Sequence, residues 1–147
     1  MLKPLEEWIC DVCSEVIPSP NKGCVIWQTT EDEGHPYNFT IIHQGQCDKK
    51  HFHHSQPLRD FLGVEGIPLL LTFVTPGPIK RKLGDKGEDR PKDLDEFADF
   101  FRRVQTPYYE EARMKFSDPA LLDDNSDNNE LAPYLPKNLK RIIERYA

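Results

Sequence analysis

The sequence lacks most of the patterns that announce an enzyme. It has no glycine-rich phosphate loop, no Gly-x-Ser-x-Gly elbow and no His-Glu-x-x-His pair, which removes the usual motif-borne routes to phosphoryl transfer, serine hydrolysis and metalloprotease chemistry. Long apolar runs are also missing. The longest uncharged one, Ile67 to Val74, contains Pro68 and Thr72, whereas a bilayer-spanning helix needs about 20 apolar residues. Positive charge is scarce: 19 Lys and Arg face 25 Asp and Glu, a formal net charge of -6. A protein devoted to coating phosphates draws its affinity from concentrated basic surface, so this balance disfavours that task. The opening Met1-Leu2-Lys3-Pro4 is soon followed by Glu6 and Glu7 and has no apolar leader core, which makes the cytoplasm the expected location.

Cysteine is sparse but arranged. Cys10-Asp-Val-Cys13 and His43-Gln-Gly-Gln-Cys47 form two closely spaced pairs on separate segments. One short loop brings two thiolates to an ion and a distant pair completes the tetrahedron, which is the donor arrangement of structural zinc. Four protein donors leave no open position, so the metal would support folding and no reaction. His43 is preferred over Cys24, because Gly23-Cys24-Val25-Ile26-Trp27-Gln28 reads as an apolar strand in which a thiol is a small buried hydrophobe. His51 is a third candidate, four residues beyond Cys47; His53 and His54 read as part of a solvated turn. A redox dithiol would sit at the start of a helix. Here Trp8-Ile9 precedes the Cys pair and Ser14-Glu15-Val16-Ile17-Pro18 follows it, a hairpin knuckle by composition. A reducing compartment also disfavours a disulfide.

Residues 8 to about 54 resemble a zinc-ribbon or treble-clef-like module. Cys10, Cys13 and Cys47 match the ligand types of such modules, with His43 in place of the first cysteine of the second pair. Three residues separate that pair instead of two, and Ser14 and Asp48 stand where a glycine usually follows each knuckle. The resemblance implies a Zn2+ ion and a small antiparallel sheet around it.

The predicted fold class is α+β: a small zinc-stabilised antiparallel β module followed by a mainly helical half. Residues 1–75 are read as the zinc-binding module with two helices, 76–92 as a linker or mobile loop, and 93–147 as a helical region packed on the first part. Strands are expected at residues 7–9, 23–29 and 37–42. A helix is expected from Ser55 through Leu58, Phe61 and Leu62, ended by Gly63, and a second, apolar all round and buried, from Glu65 to Val74. In the helical region Leu94, Phe97, Ala98, Phe101 and Val104 mark one stripe, a helix follows Thr106-Pro107, Asp123 to Glu130 is a loop, and Leu139, Ile142, Ile143 and Tyr146 line the last helix. The β sheet is expected to have little core of its own.

Tyr108-Tyr109-Glu110-Glu111-Ala112-Arg113 is the densest cluster of reactive side chains outside the metal site. It reads as a stabilised first helical turn, with Glu110 and Arg113 paired at i, i+3. The expected function is a zinc-stabilised binding or adaptor protein with protein partners and no evident catalytic centre. Two alternatives are a nucleic-acid-binding zinc ribbon, for which Lys80-Arg81-Lys82 is the available basic run, and a zinc-dependent hydrolase recruiting His51 or His53.

Overall fold

The structure, a computed structural model, describes residues 1–48, 52–84, 90–124 and 133–146. It is α+β, with two small antiparallel sheets and six helices among those residues. The first sheet is a hairpin of β1 (Trp8–Ile9) and β2 (Val16–Ile17), with Trp8 opposite Ile17. Both of those side chains are fully buried, so the hairpin's inner face anchors the loop that carries Cys10 and Cys13.

The second sheet has the order β4-β3-β5, where β3 is Gly23–Thr29, β4 is Pro36–His43 and β5 is His54–Pro57. β-Branched and aromatic residues dominate β3 and β4, as a pleated, half-buried surface favours. A register shift lies between Ile26 and Gln28. β5 occupies the place where a helix from Ser55 was expected. Ser55 pairs with Ile26 and Gln56 with Val25, so the open edge of β3 claims this backbone. The Leu58–Phe61 stretch then makes only a 3-10 turn, which buries Leu58 and Phe61. Gly63, at φ 65, redirects the chain and begins a helix instead of ending one.

α1 (Gly63–Leu71) is buried along one side only: Leu70 is inaccessible, while Val64, Ile67 and Leu71 are exposed. The expectation of an all-round buried helix is therefore corrected. α1 meets its neighbours through Gly66, where an added Cβ would lie 2.2 Å from the carbonyl of Phe61, and that approach turns the opposite side outward. α2 (Gly77–Lys82) lies within the stretch read as a linker or mobile loop. Pro78 near its start and Lys80, Arg81 and Lys82 in its last turn suit a helix's two ends. Residues 85–89 of that stretch lie outside the described residues.

α3 (Leu94–Gln105) is capped by the Asp93 carboxylate, which accepts from the Glu96 N–H at 3.2 Å. Its buried face is Phe97, Phe100, Arg103 and Val104, while Leu94 is exposed. This face is turned from the expected stripe because it packs on β4: Phe39 and Phe100 stack with centroids 4.9 Å apart. Trp27, Phe39, Phe61, Phe73, Phe97 and Phe100 join in one aromatic network. The sheet thus has a substantial core, contrary to the expectation from its size.

α4 (Tyr109–Ala112) is continued by a 3-10 turn at Arg113–Lys115, and α6 (Pro136–Arg145) packs on it through Leu139 and Ile143. α5 (Pro119–Asp124) includes Asp123 and Asp124, which were expected in a loop; residues 125–130 of that loop are outside the described residues.

Candidate metal centre

The two knuckles meet at one corner of the molecule. The first is the turn between β1 and β2, closed by Cys10 N–H donating to Glu15 O at 2.9 Å and Ser14 N–H to Cys10 O at 3.0 Å. The second begins at the end of β4, where His43 is the last strand residue, and closes with Cys47 N–H pointing to His43 O at 3.4 Å. The Sγ atoms of Cys10, Cys13 and Cys47 and a ring nitrogen of His43 all lie within 4.8 Å of one another. Cys10 is buried, His43 and Cys47 are half-buried and Cys13 is exposed.

His43 is oriented for coordination. Its Nε2 lies 3.0 Å from Val16 O, and a carbonyl only accepts, so Nε2 carries a proton and Nδ1 is the nitrogen left to face the sulfurs, its lone pair open to a metal once any proton there is displaced. Nδ1 faces Cys13 Sγ at 3.4 Å and Cys47 Sγ at 3.8 Å. A tetrahedron with Zn–S near 2.3 Å and Zn–N near 2.0 Å has edges of about 3.5–3.8 Å. The distances therefore fit a single ion, and a histidine fixed through its other nitrogen by a backbone carbonyl is the usual support of a metal ligand.

The sulfurs also bear on one another electrically. Burial pushes the Cys10 thiol up, but hydrogen bonds from the backbones of Cys13, Val12 and His43, and from the His43 ring, outweigh it and bring it down to about 6. Cys47 is pushed up to about 11 by desolvation and by its hydrogen bonds to and charge repulsion from Cys10 and Cys13. Three thiolates this close need a cation. A divalent ion bound here would supply it and reverse the penalty on Cys47.

Asp11, between the two cysteines of the first knuckle, was missed by the sequence reading. Its N–H donates to Ile41 O at 2.8 Å, and its carboxylate accepts the Ile41 N–H at 2.8 Å. The knuckle is thereby clamped to the free edge of β4, two residues before His43. The same carboxylate oxygen receives Arg103 Nη1 at 2.8 Å.

Cys24 lies outside the cluster, half-buried against the core, with its thiol 3.7 Å from Val25 O. His51 lies outside the described residues. His54 stacks on Trp27 at 5.6 Å and stands 3.4 Å from Thr29 Oγ1, while His53 meets the His54 ring edge-on. The Tyr108–Arg113 cluster is dispersed into structural roles. Glu110 is buried and pairs with Arg103, not Arg113; Arg113 reaches Asp99, which also accepts the Tyr109 hydroxyl. The i, i+3 pairing fails because α4 directs Glu110 inward, toward Arg103 and the Ile9 N–H.

Ser14 has φ 65, the left-handed conformation that a glycine would adopt without strain. The missing knuckle glycine is thus a change of residue and not of backbone. Ser14→Gly is expected to raise stability by about 0.5–1 kcal/mol in denaturant unfolding, since a non-glycine residue pays roughly 1–2 kcal/mol in that region and glycine returns part of this as chain entropy. Its metal content should equal wild type.

In comparisons with protein-family models, curated proteins and solved structures, nothing matches the chain.

Proposed function

We propose that Cys10, Cys13, His43 and Cys47 hold a structural zinc ion and that the chain is a zinc-stabilised binding or adaptor protein of a reducing compartment, working through contacts with other proteins. The observation that carries this reading is the convergence of three sulfurs and one correctly presented imidazole nitrogen within 4.8 Å. Thiolate and imidazole donors in a tetrahedral set favour zinc over the hard cations, which take oxygen. All four donors come from the chain, so a water needs to displace one before hydrolysis could begin; this favours a structural role over a hydrolytic one. The reading as a protein-binding module draws on the acidic charge, against which the cations of α2 are a small island.

Metal analysis of protein purified without added zinc tests the first step. About one equivalent of zinc per chain is expected for a closed four-donor site. Less than half an equivalent, with iron or no metal in its place, would remove the zinc reading. Titration with a short DNA or RNA at two salt concentrations tests the rival class: a steep salt dependence would favour phosphate contacts over protein contacts.

A further inference from the structure

Arg103 is the most enclosed cation among the described residues. Its side chain is 3 % exposed, yet it lies at the junction of the metal knuckle and the helical region. Nε and Nη2 grip the two oxygens of Glu110 at 2.6 and 2.7 Å, Nη1 meets Asp11 Oδ2 at 2.8 Å, and Nη2 also donates to Ile9 O at 3.2 Å. Its carbonyl accepts the Trp8 indole N–H at 2.9 Å. Burial disfavours its charge, but Glu110 and Asp11 hold its pKa above the ordinary arginine value. One guanidinium therefore binds residues on both sides of Cys10 and fixes the carboxylate that clamps the first knuckle to β4.

We infer that Arg103 is a positioning residue for the metal centre: acting through Asp11, it sets where Cys10 and Cys13 stand relative to His43, and so couples metal affinity to the docking of α3 and α4. The chain of contacts is continuous. Glu110 aligns the guanidinium, the guanidinium aligns the Asp11 carboxylate, and that carboxylate pairs with Ile41, which shares β4 with His43. Asp11 thus acts as an added rung on an edge strand. Without Arg103 the carboxylate is free to turn to solvent, and the knuckle loses one of its two hydrogen bonds to the edge. Coupling of this kind is reciprocal: metal that holds the knuckle also favours the docked helices.

This inference rests on the zinc reading, and zinc affinity measured by competition with a chromophoric chelator separates the two. Arg103→Met alone strands two carboxylates, so the decisive variant is Arg103→Met/Glu110→Gln, which removes the buried charge pair together and leaves an amide oxygen to accept the Ile9 N–H. Its metal-free unfolding midpoint is expected near that of metal-free wild type, while its zinc affinity falls about 10–100-fold, as for other outer-shell partners of metal ligands. Adding Asp11→Asn should cost little more, since both changes act through one contact. Arg113→Met, which breaks the looser pair with Asp99, should leave zinc affinity unchanged. A folded double variant with wild-type zinc affinity, or an Asp11→Asn loss that simply adds, overturns the inference while the zinc reading stands. A wild-type chain with no zinc affinity overturns both.

Discussion

Cys13→Ser is expected to lower the stability of the zinc-loaded protein by about 3–4 kcal/mol, roughly a quarter of the 10–16 kcal/mol that structural zinc binding provides. Cys13 is the informative position because its side chain is exposed. Little apolar packing is lost on changing its sulfur to oxygen, so a large effect must come from ligation. In protein stripped of metal with a chelator, the same substitution should change stability by under about 0.5 kcal/mol, the usual range for a surface change. Denaturant unfolding of the four samples, with and without metal and with and without the substitution, measures both values. Equal effects in the two states would mean that Cys13 contributes as a side chain and not as a ligand.

The same logic says where the loss should appear. β1 and β2 contribute only two residues each, too few to persist as an isolated hairpin; Trp8 and Ile17 anchor its inner face, Asp11 and Arg103 hold its turn, and on the proposed reading a metal would add to them. β3 and β4 are held otherwise, by a ladder running from Gly23–His43 to Thr29–Pro36 and by the aromatic network above it. Amide exchange after metal removal should therefore rise first in residues 10–17 and 43–47. Val25 and Ile41 should keep their protection unless the whole domain opens.

The cluster of candidate donors was legible because its signal is local: two short spacings and the donor chemistry of Cys and His specify it without knowledge of the fold. β3 and β4 were legible for a related reason, since β-branched and aromatic runs bounded by turns say most of what a strand is. Asp11 and Arg103 gave no such signal. An aspartate in an exposed-looking turn and an arginine in an amphipathic helix become significant only when residues 92 positions apart are brought to 2.8 Å. β5 was missed because Leu58, Phe61 and Leu62 carry helical spacing, while the force that extends Ser55 and Gln56 is the unpaired edge of β3. Edge demand is tertiary and leaves little trace in the segment that answers it.

Phe100→Ala should cost about 3–5 kcal/mol, the range for deleting a buried aromatic and leaving a cavity. Phe100 is 2 % exposed, stacked on Phe39 at 9° and set edge-on to Phe61 at 5.4 Å, so its loss opens the contact between α3 and both neighbouring elements. The aromatic pairing adds about 0.5–1.5 kcal/mol to the area term for each well-placed pair, which puts the upper end of the range within reach. Leu94→Ala provides the contrast. By apolar spacing alone Leu94 belongs to the helix's inner stripe and Phe100 does not, yet Leu94 is 65 % exposed, and its truncation should change stability by under about 0.5 kcal/mol. Chemical denaturation of the two variants decides between the faces. A costly Leu94→Ala with a mild Phe100→Ala would mean that α3 is rotated on the sheet, and Arg103, three residues beyond Phe100, would then turn away from Asp11 as well.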